Sequence, residues 1–214
     1  MLTNIKAVIF DLDGTLVDSM GIWDKIDIDY LTKRSIELPQ DLRECIEHLS
    51  FLETARYFKN RFNLPESIEE IATEWNEMAL VEYTNTVKLK KGAREFLSLL
   101  KSKGLKIALA TSNSAPLLEA ALKANAVFEL FDVICRTDEV NRGKNFPDVY
   151  LLAAERLGVS PENCMVFEDL VPAVMGAKAA NMKVVAVHDL YSEGQKEKLE
   201  KLADRYILNY EELA

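Results

Sequence analysis

Two hydrophobic patterns alternate along most of this chain. Short unbroken apolar runs stand at 7–10 (AVIF), 105–111 (LKIALAT), 131–136 (FDVICR), 164–169 (CMVFED), 184–189 (VVAVHD) and, more weakly, 205–208 (RYIL). Runs of this length without polar alternation suit strands buried on both faces, as in a parallel sheet. Between them, apolar residues recur at helical spacing over 92–103, 115–125, 147–157, 171–180 and 195–203. Strand and helix in strict alternation predict an α/β fold with a doubly wound (Rossmann-like) parallel sheet, covered by helices on both faces. Gly104 and Gly158 stand where two of the helices should stop, with Pro161 soon after the second.

Residues 16–90 break the rhythm. No strand is predicted there. Amphipathic helical stretches are expected at 19–34, 40–48, 51–61 and 67–84, punctuated by Pro39 and Pro65. The pattern predicts a core domain of residues 1–15 and 91–214, with an α-helical cap domain of residues 16–90 inserted after the first strand.

Composition narrows the partners. The chain has 214 residues, 49% of them hydrophobic, enough for a sizeable core. It carries 35 acidic and 26 basic residues, a formal charge of -9, and residues 15–90 hold 15 of the acids and 9 of the bases. That balance argues against nucleic acid or an anionic membrane, both of which need cationic footprints. A small anionic substrate remains compatible if the site itself is locally positive. No apolar run approaches the ~20 residues that span a bilayer, and the N-terminal stretch meets Asp11 too early for a signal peptide. Cys45, Cys135 and Cys164 are odd in number, far apart and without metal-ligand spacing, so three free thiols and a cytoplasmic location are expected.

Ligands of open parallel sheets bind beyond the carboxyl ends of the strands. The first strand ends in Asp11 and Asp13, and the second in Thr111, Ser112, Asn113 and Ser114. The third is followed by NRGKNFPD with Lys144, and the fourth ends in Glu168 and Asp169. Side chains two apart on extended backbone point the same way, so Asp11 and Asp13 can face one site. Crowded carboxylates repel one another unless a hard cation holds them, and Mg²⁺ takes carboxylate oxygens together with a substrate phosphate. Lys144 and the cation would neutralise that phosphate, and the Thr111 hydroxyl with neighbouring backbone N–H groups would cradle it. Asp11 is then the candidate nucleophile and Asp13 the candidate acid/base. Each feature alone has a plainer reading: turn chemistry for D-x-D, a helix cap for Thr111 and Ser112, a surface position for Lys144. Their joint appearance at successive strand ends favours catalysis.

On these residues the chain resembles a haloacid dehalogenase-superfamily hydrolase of the type with a helical cap after the first strand. DLDGTLVDS (11–19), ALATSN (108–113), RGKNFPDVY (142–150) and VFEDLVPAVMGAKAANM (166–182) are similar to the four motifs of that family, in order. The resemblance implies an aspartyl-phosphate on Asp11, acid/base action by Asp13, phosphate binding by Thr111 and Lys144, and Mg²⁺ held by Asp11, the Asp13 backbone carbonyl, Asp169 and the neighbouring acid Glu168. The dehalogenases themselves lack the second aspartate, so Asp13 points to phosphoryl transfer. Departures fall at Asn145 and Phe146 in the third motif, and at Leu170 and Ala173, where the family has Ser and Gly. The rival is a β-phosphoglucomutase-like isomerase. Such enzymes carry a histidine where Trp23 stands, and a cap segment with lysine, glycine and arginine; the counterpart HLSFLETARYF (48–58) lacks that trio. A Mg²⁺-dependent phosphatase acting on a small phosphorylated metabolite, a sugar phosphate above all, is therefore expected, as a monomer or weak dimer. Ser112, Asn113, Trp23 and Arg56 are the further candidate substrate contacts, with Met20, His48 and Phe51 for the inner face of the cap. Receiver domains of response regulators share some of these residue types, but they are shorter and lack a cap.

Overall fold

A computed structural model describes residues 2–46, 49–140 and 142–213. Six parallel strands form the central sheet: β1 (Ala7–Phe10), β4 (Lys106–Thr111), β5 (Val133–Arg136), β6 (Cys164–Glu168), β7 (Lys183–Val187) and β8 (Arg205–Ile207), in the spatial order β5-β4-β1-β6-β7-β8. All four residues of β1 are buried, because the strand is central and flanked on both sides. Residue parity decides which face each side chain joins. Val8 and Phe10 pack with Ile107, Leu109, Met165 and Phe167 beneath α5 (Ala93–Ser102) and α6 (Ala115–Ala124). Ala7 and Ile9 pack with Ala108, Ala110 and Val166 beneath α7 (Asp148–Leu157), α8 (Val171–Ala179) and α9 (Lys196–Leu202). The doubly wound sheet is thus as expected from the alternation of runs.

The register places the chemistry. Phe10 pairs with Leu109 on one side and Phe167 on the other. The chain therefore leaves β1 at Asp11, level with the ends of β4 and β6.

Four helices lie between the first and second strands of the sheet: α1 (Met20–Thr32), α2 (Leu42–Ile46), α3 (Phe51–Arg61) and α4 (Ile68–Asn85). Ser50 with Glu53, and Ser67 with Glu70, form reciprocal capping boxes that start α3 and α4. Tyr30, Phe58 and Trp75 meet edge to face in their shared interior. The expectation of no strand in this stretch needs correction. β2 (Val17–Asp18) and β3 (Lys88–Leu89) pair antiparallel and form the two-chain ribbon that enters and leaves the helical insertion. Two residues carry no readable period, and this pairing is fixed by chain ends seventy residues apart. Among the described residues no helix is long and apolar enough to cross a membrane.

Candidate active site

Asp11 is pinned as the backbone leaves β1, its N–H donating to the Phe167 carbonyl at 3.0 Å. Its carboxylate accepts from the Lys144 ammonium, which also donates to Glu168 Oε1 at 2.7 Å. Lys144, Asp11, Glu168 and Asp169 are all buried. Glu168 accepts a second bond, from the Tyr150 hydroxyl at 2.8 Å, and Asp169 accepts from Thr15 Oγ1 at 3.1 Å. Oxygens of Asp11, Glu168 and Asp169 lie within 4.8 Å of one another, close enough to share a cation. Gly14 is required beside them: its φ is +78°, and a Cβ there would stand 2.4 Å from Asp169 Oδ2.

The electrostatics follow from this crowding. Burial pushes the Glu168 carboxyl up to about 7 although Lys144 opposes the shift. Asp169 is raised well above the usual carboxylate range, by burial and then by the charges of Asp11 and Glu168. Burial alone would discharge Lys144, but Asp11 and Glu168 outweigh it and hold the ammonium charged. Three carboxylates against one ammonium leave a deficit of positive charge that a divalent cation is suited to fill.

Asp13 is held by a ring of donors. Ser19 Oγ donates to its Oδ1 at 2.6 Å, the Tyr83 hydroxyl donates to the same oxygen, and Asn113 Nδ2 donates to Oδ2 at 2.8 Å. Tyr83 accepts in turn from Trp23 Nε1 at 2.6 Å and from Asn113 Nδ2 at 3.1 Å. Burial and then the Asp11 charge raise the Asp13 carboxyl, and the three donors oppose the rise.

Both groups open into one cavity of about 470 Å³ between sheet and insertion. Asp11, Asp13, Thr111, Ser112, Asn113, Lys144, Glu168 and Asp169 all line it, as do Met20, Trp23 and Phe51. The Thr111 hydroxyl accepts from the Asn113 N–H at 3.0 Å, which leaves its own O–H to donate. The Ser112 carbonyl accepts from the Phe51 N–H at 3.2 Å and ties α3 to the core. Asn113, a candidate substrate contact, lines the cavity, and its amide N–H groups donate to Asp13 and Tyr83. Arg56 is corrected outright: it is exposed and lines no part of the cavity. On α3 the buried face is Phe51, Ala55 and Phe58, and residue 56 turns away from it. His48 lies outside the described residues.

Several functional neighbours escaped the sequence reading. Tyr83 ends an apolar stripe on α4 with Ile71, Ala72, Trp75 and Ala79, so its hydroxyl was hidden in what reads as core. Tyr150 is concealed in the same way on α7. Thr15 and Ser19 were also passed over, although both are hydroxyls within the first motif. Asp24 and Asp27 also line the cavity; the sequence shows the insertion to be acidic, which disfavours polyanionic substrates, but not which of its acids face the site.

A family model for haloacid dehalogenase-like hydrolases matches residues 5–181. Among curated relatives, hexitol phosphatase B of Escherichia coli is 33% identical over 86% of this chain and 83% of its own. The bifunctional riboflavin kinase/FMN phosphatase of Arabidopsis thaliana is 35% identical over 86% of this chain, which spans 49% of that longer protein. A crystal structure of CbbY from Rhodobacter sphaeroides in complex with xylulose-1,5-bisphosphate superposes with a TM-score of 0.87 at 25% identity, covering 98% of this chain and 96% of the other.

Proposed function

The chain belongs to the haloacid dehalogenase-like hydrolases, and from that premise we propose that it is a Mg²⁺-dependent phosphatase hydrolysing a small phosphorylated carbohydrate through an aspartyl-phosphate on Asp11. The observation that carries this reading is the convergence of Asp11, Lys144, Glu168 and Asp169 on one cavity that Thr111 and Asp13 also line. The similarity to hexitol phosphatase B supports the substrate class.

The donor set fits Mg²⁺. It is all oxygen, it comes from three buried carboxylates, and their crowding disfavours the charged forms until a cation is present. Asp11, Asp169 and Glu168 would hold the ion, with the Asp13 backbone carbonyl. When bound it would neutralise phosphate charge and polarise the phosphoryl group.

The residues divide the reaction in two. Asp11 Oδ attacks phosphorus, and the bond from phosphorus to the substrate oxygen breaks. Asp13 gives its proton to that departing oxygen. A water then loses a proton to Asp13 and attacks the aspartyl-phosphate, releasing phosphate and returning Asp11 as a carboxylate. Lys144 and the Thr111 hydroxyl hold the phosphoryl oxygens throughout. In this reading residues 1–15 and 91–214 are the catalytic core, and residues 16–90 are the cap that closes on the leaving group. A phosphomutase is disfavoured, because Trp23 is spent on Tyr83 and Arg56 is exposed, so neither grips a sugar for return of the phosphoryl group.

The test is turnover of p-nitrophenyl phosphate and of hexitol phosphates. Activity with Mg²⁺ should vanish in EDTA and in Asp11→Asn; survival of either treatment would overturn the proposal. β-Glucose 1-phosphate should yield glucose and phosphate rather than glucose 6-phosphate.

A further inference from the structure

The face that α1 turns to the cavity carries charge where a helix over a binding site usually carries apolar side chains. Met20, Trp23, Asp24, Asp27 and Ile28 line the cavity at the spacing of one helical face. The opposite side of the helix buries Ile26, Tyr30 and Leu31 in the interior of the insertion. Asp24 and Asp27 are therefore aimed at whatever occupies the space above Asp11.

The two acids are not equivalent. Asp24 accepts from Arg43, which also lines the cavity, at 3.0 Å, and the Arg43 guanidinium stacks on Tyr191 of the core with its centre 4.8 Å from the ring centroid. Arg43 is thus committed on both sides. Among the described residues the Asp27 carboxyl makes no hydrogen bond or ion pair. The described titratable side chains lining the cap side of the cavity are Asp24, Asp27 and Arg43. With Asp24 paired to Arg43, the charge on Asp27 leaves this roof neutral to negative near neutral pH.

In the phosphatase reading the opposite wall takes the phosphate, with Lys144, the Thr111 hydroxyl and the cation that Asp11, Glu168 and Asp169 would hold. One cavity thus offers a phosphate subsite at the floor and a carboxylate-bearing roof. Carboxylates accept hydrogen bonds from hydroxyl groups, and they repel a second phosphate. Building on the phosphatase reading above, we infer that Asp27 is the specificity-determining residue of the cap: it selects an uncharged, hydroxyl-bearing leaving group and excludes sugar bisphosphates. Burial and the nearby Asp24 charge push its carboxyl up to about 7, against Arg43. Near neutral pH the group therefore serves hydroxyls as acceptor when charged or as donor when protonated, and in its charged form it repels an anion.

The experiment compares kcat/KM for sorbitol 6-phosphate and glucose 6-phosphate with that for glucose 1,6-bisphosphate, in wild type, Asp27→Asn, Asp27→Lys and Asp27→Glu. Wild type should favour the monophosphates by about tenfold or more. Asp27→Asn should narrow that ratio about fivefold by raising the bisphosphate value, Asp27→Lys should narrow it further, and Asp27→Glu should restore it. Turnover of p-nitrophenyl phosphate and a thermal melt establish that each variant is folded. Equal wild-type efficiency on both classes overturns the inference, as does a ratio unmoved in Asn and Lys variants, or p-nitrophenyl phosphate turnover without any hydrolysis of the sugar monophosphates. Loss of turnover on every ester in wild type instead overturns the phosphatase reading itself.

Discussion

The carbonyl of Lys144 lies directly against the backbone of Gly176: a Cβ at that position would stand 2.0 Å from the Lys144 oxygen and 2.9 Å from that of Phe146. The loop carrying Lys144 reaches Asp11 and Glu168 only because α8 presents no side chain there. Gly176→Ala should force the loop outward, and with it the ammonium. Overpacking of this kind costs ~1–3 kcal/mol. A fall in kcat of about tenfold or more, with a lowered Tm, is expected from steady-state kinetics and a thermal melt. Retention of both would show that the loop has room to spare.

The same contact explains a departure from the family motifs. Ala173 stands where the family has glycine, and it is buried without difficulty. The close backbone approach occurs one helical turn later, at Gly176.

Tyr83 joins the insertion to Asp13, the proposed acid/base, across seventy residues of sequence. Its oxygen accepts from Trp23 and Asn113 and its proton goes to Asp13, so the network has no spare group. Tyr83→Phe removes one donor from Asp13 and strands the Trp23 N–H, at a cost of ~1–3 kcal/mol. Because the phenol touches Asp13, kcat should fall by about tenfold while KM changes little. A KM effect with unchanged kcat would mean that Tyr83 shapes the cavity rather than holds Asp13.

How much of this was legible beforehand depended on what kind of signal each residue carried. The buried strands were legible as unbroken apolar runs, and the strand-end residues Asp11, Thr111, Lys144 and Asp169 as chemistry in an otherwise apolar context. β2 and β3 were not legible, because two residues have no period and their pairing depends on distant chain ends. Tyr83 and Tyr150 were hidden because each lies on an apolar helical stripe, where the sequence shows the ring but not the direction of the hydroxyl. Arg56 illustrates the reverse error: a cation sought near a phosphate site sits on a helix whose buried face excludes its position.

Asp27 should also make stability depend on pH. Its carboxyl is raised from 3.8 to about 7 in the folded chain. Between those values the native state binds more protons than the unfolded state, so stability falls as pH rises and levels off above 7. At ~1.4 kcal/mol per pH unit the upper bound is ~4 kcal/mol, and partial exposure to the cavity screens this to about 2 kcal/mol. Asp27→Asn has no such titration. Its melting temperature relative to wild type, measured in EDTA, should therefore rise between pH 4.5 and pH 8. A difference that is flat across that interval would mean the Asp27 carboxyl titrates as an ordinary surface group.

Cation binding should be visible as stability without any substrate. Asp11, Glu168 and Asp169 place three carboxylates against one ammonium in a buried site. A divalent ion that binds the folded chain and not the unfolded one stabilises it by ~2.7 kcal/mol at a hundred times its dissociation constant. For a chain of this size that corresponds to a rise in Tm of roughly 5–10 °C. Titrating Mg²⁺ into protein first stripped with EDTA should give this rise. Asp169→Asn should abolish it, because a neutral amide replaces one of the three carboxylates that would hold the ion. If the stripped wild type gains nothing from Mg²⁺, Lys144 alone balances the carboxylates, and no metal belongs among them.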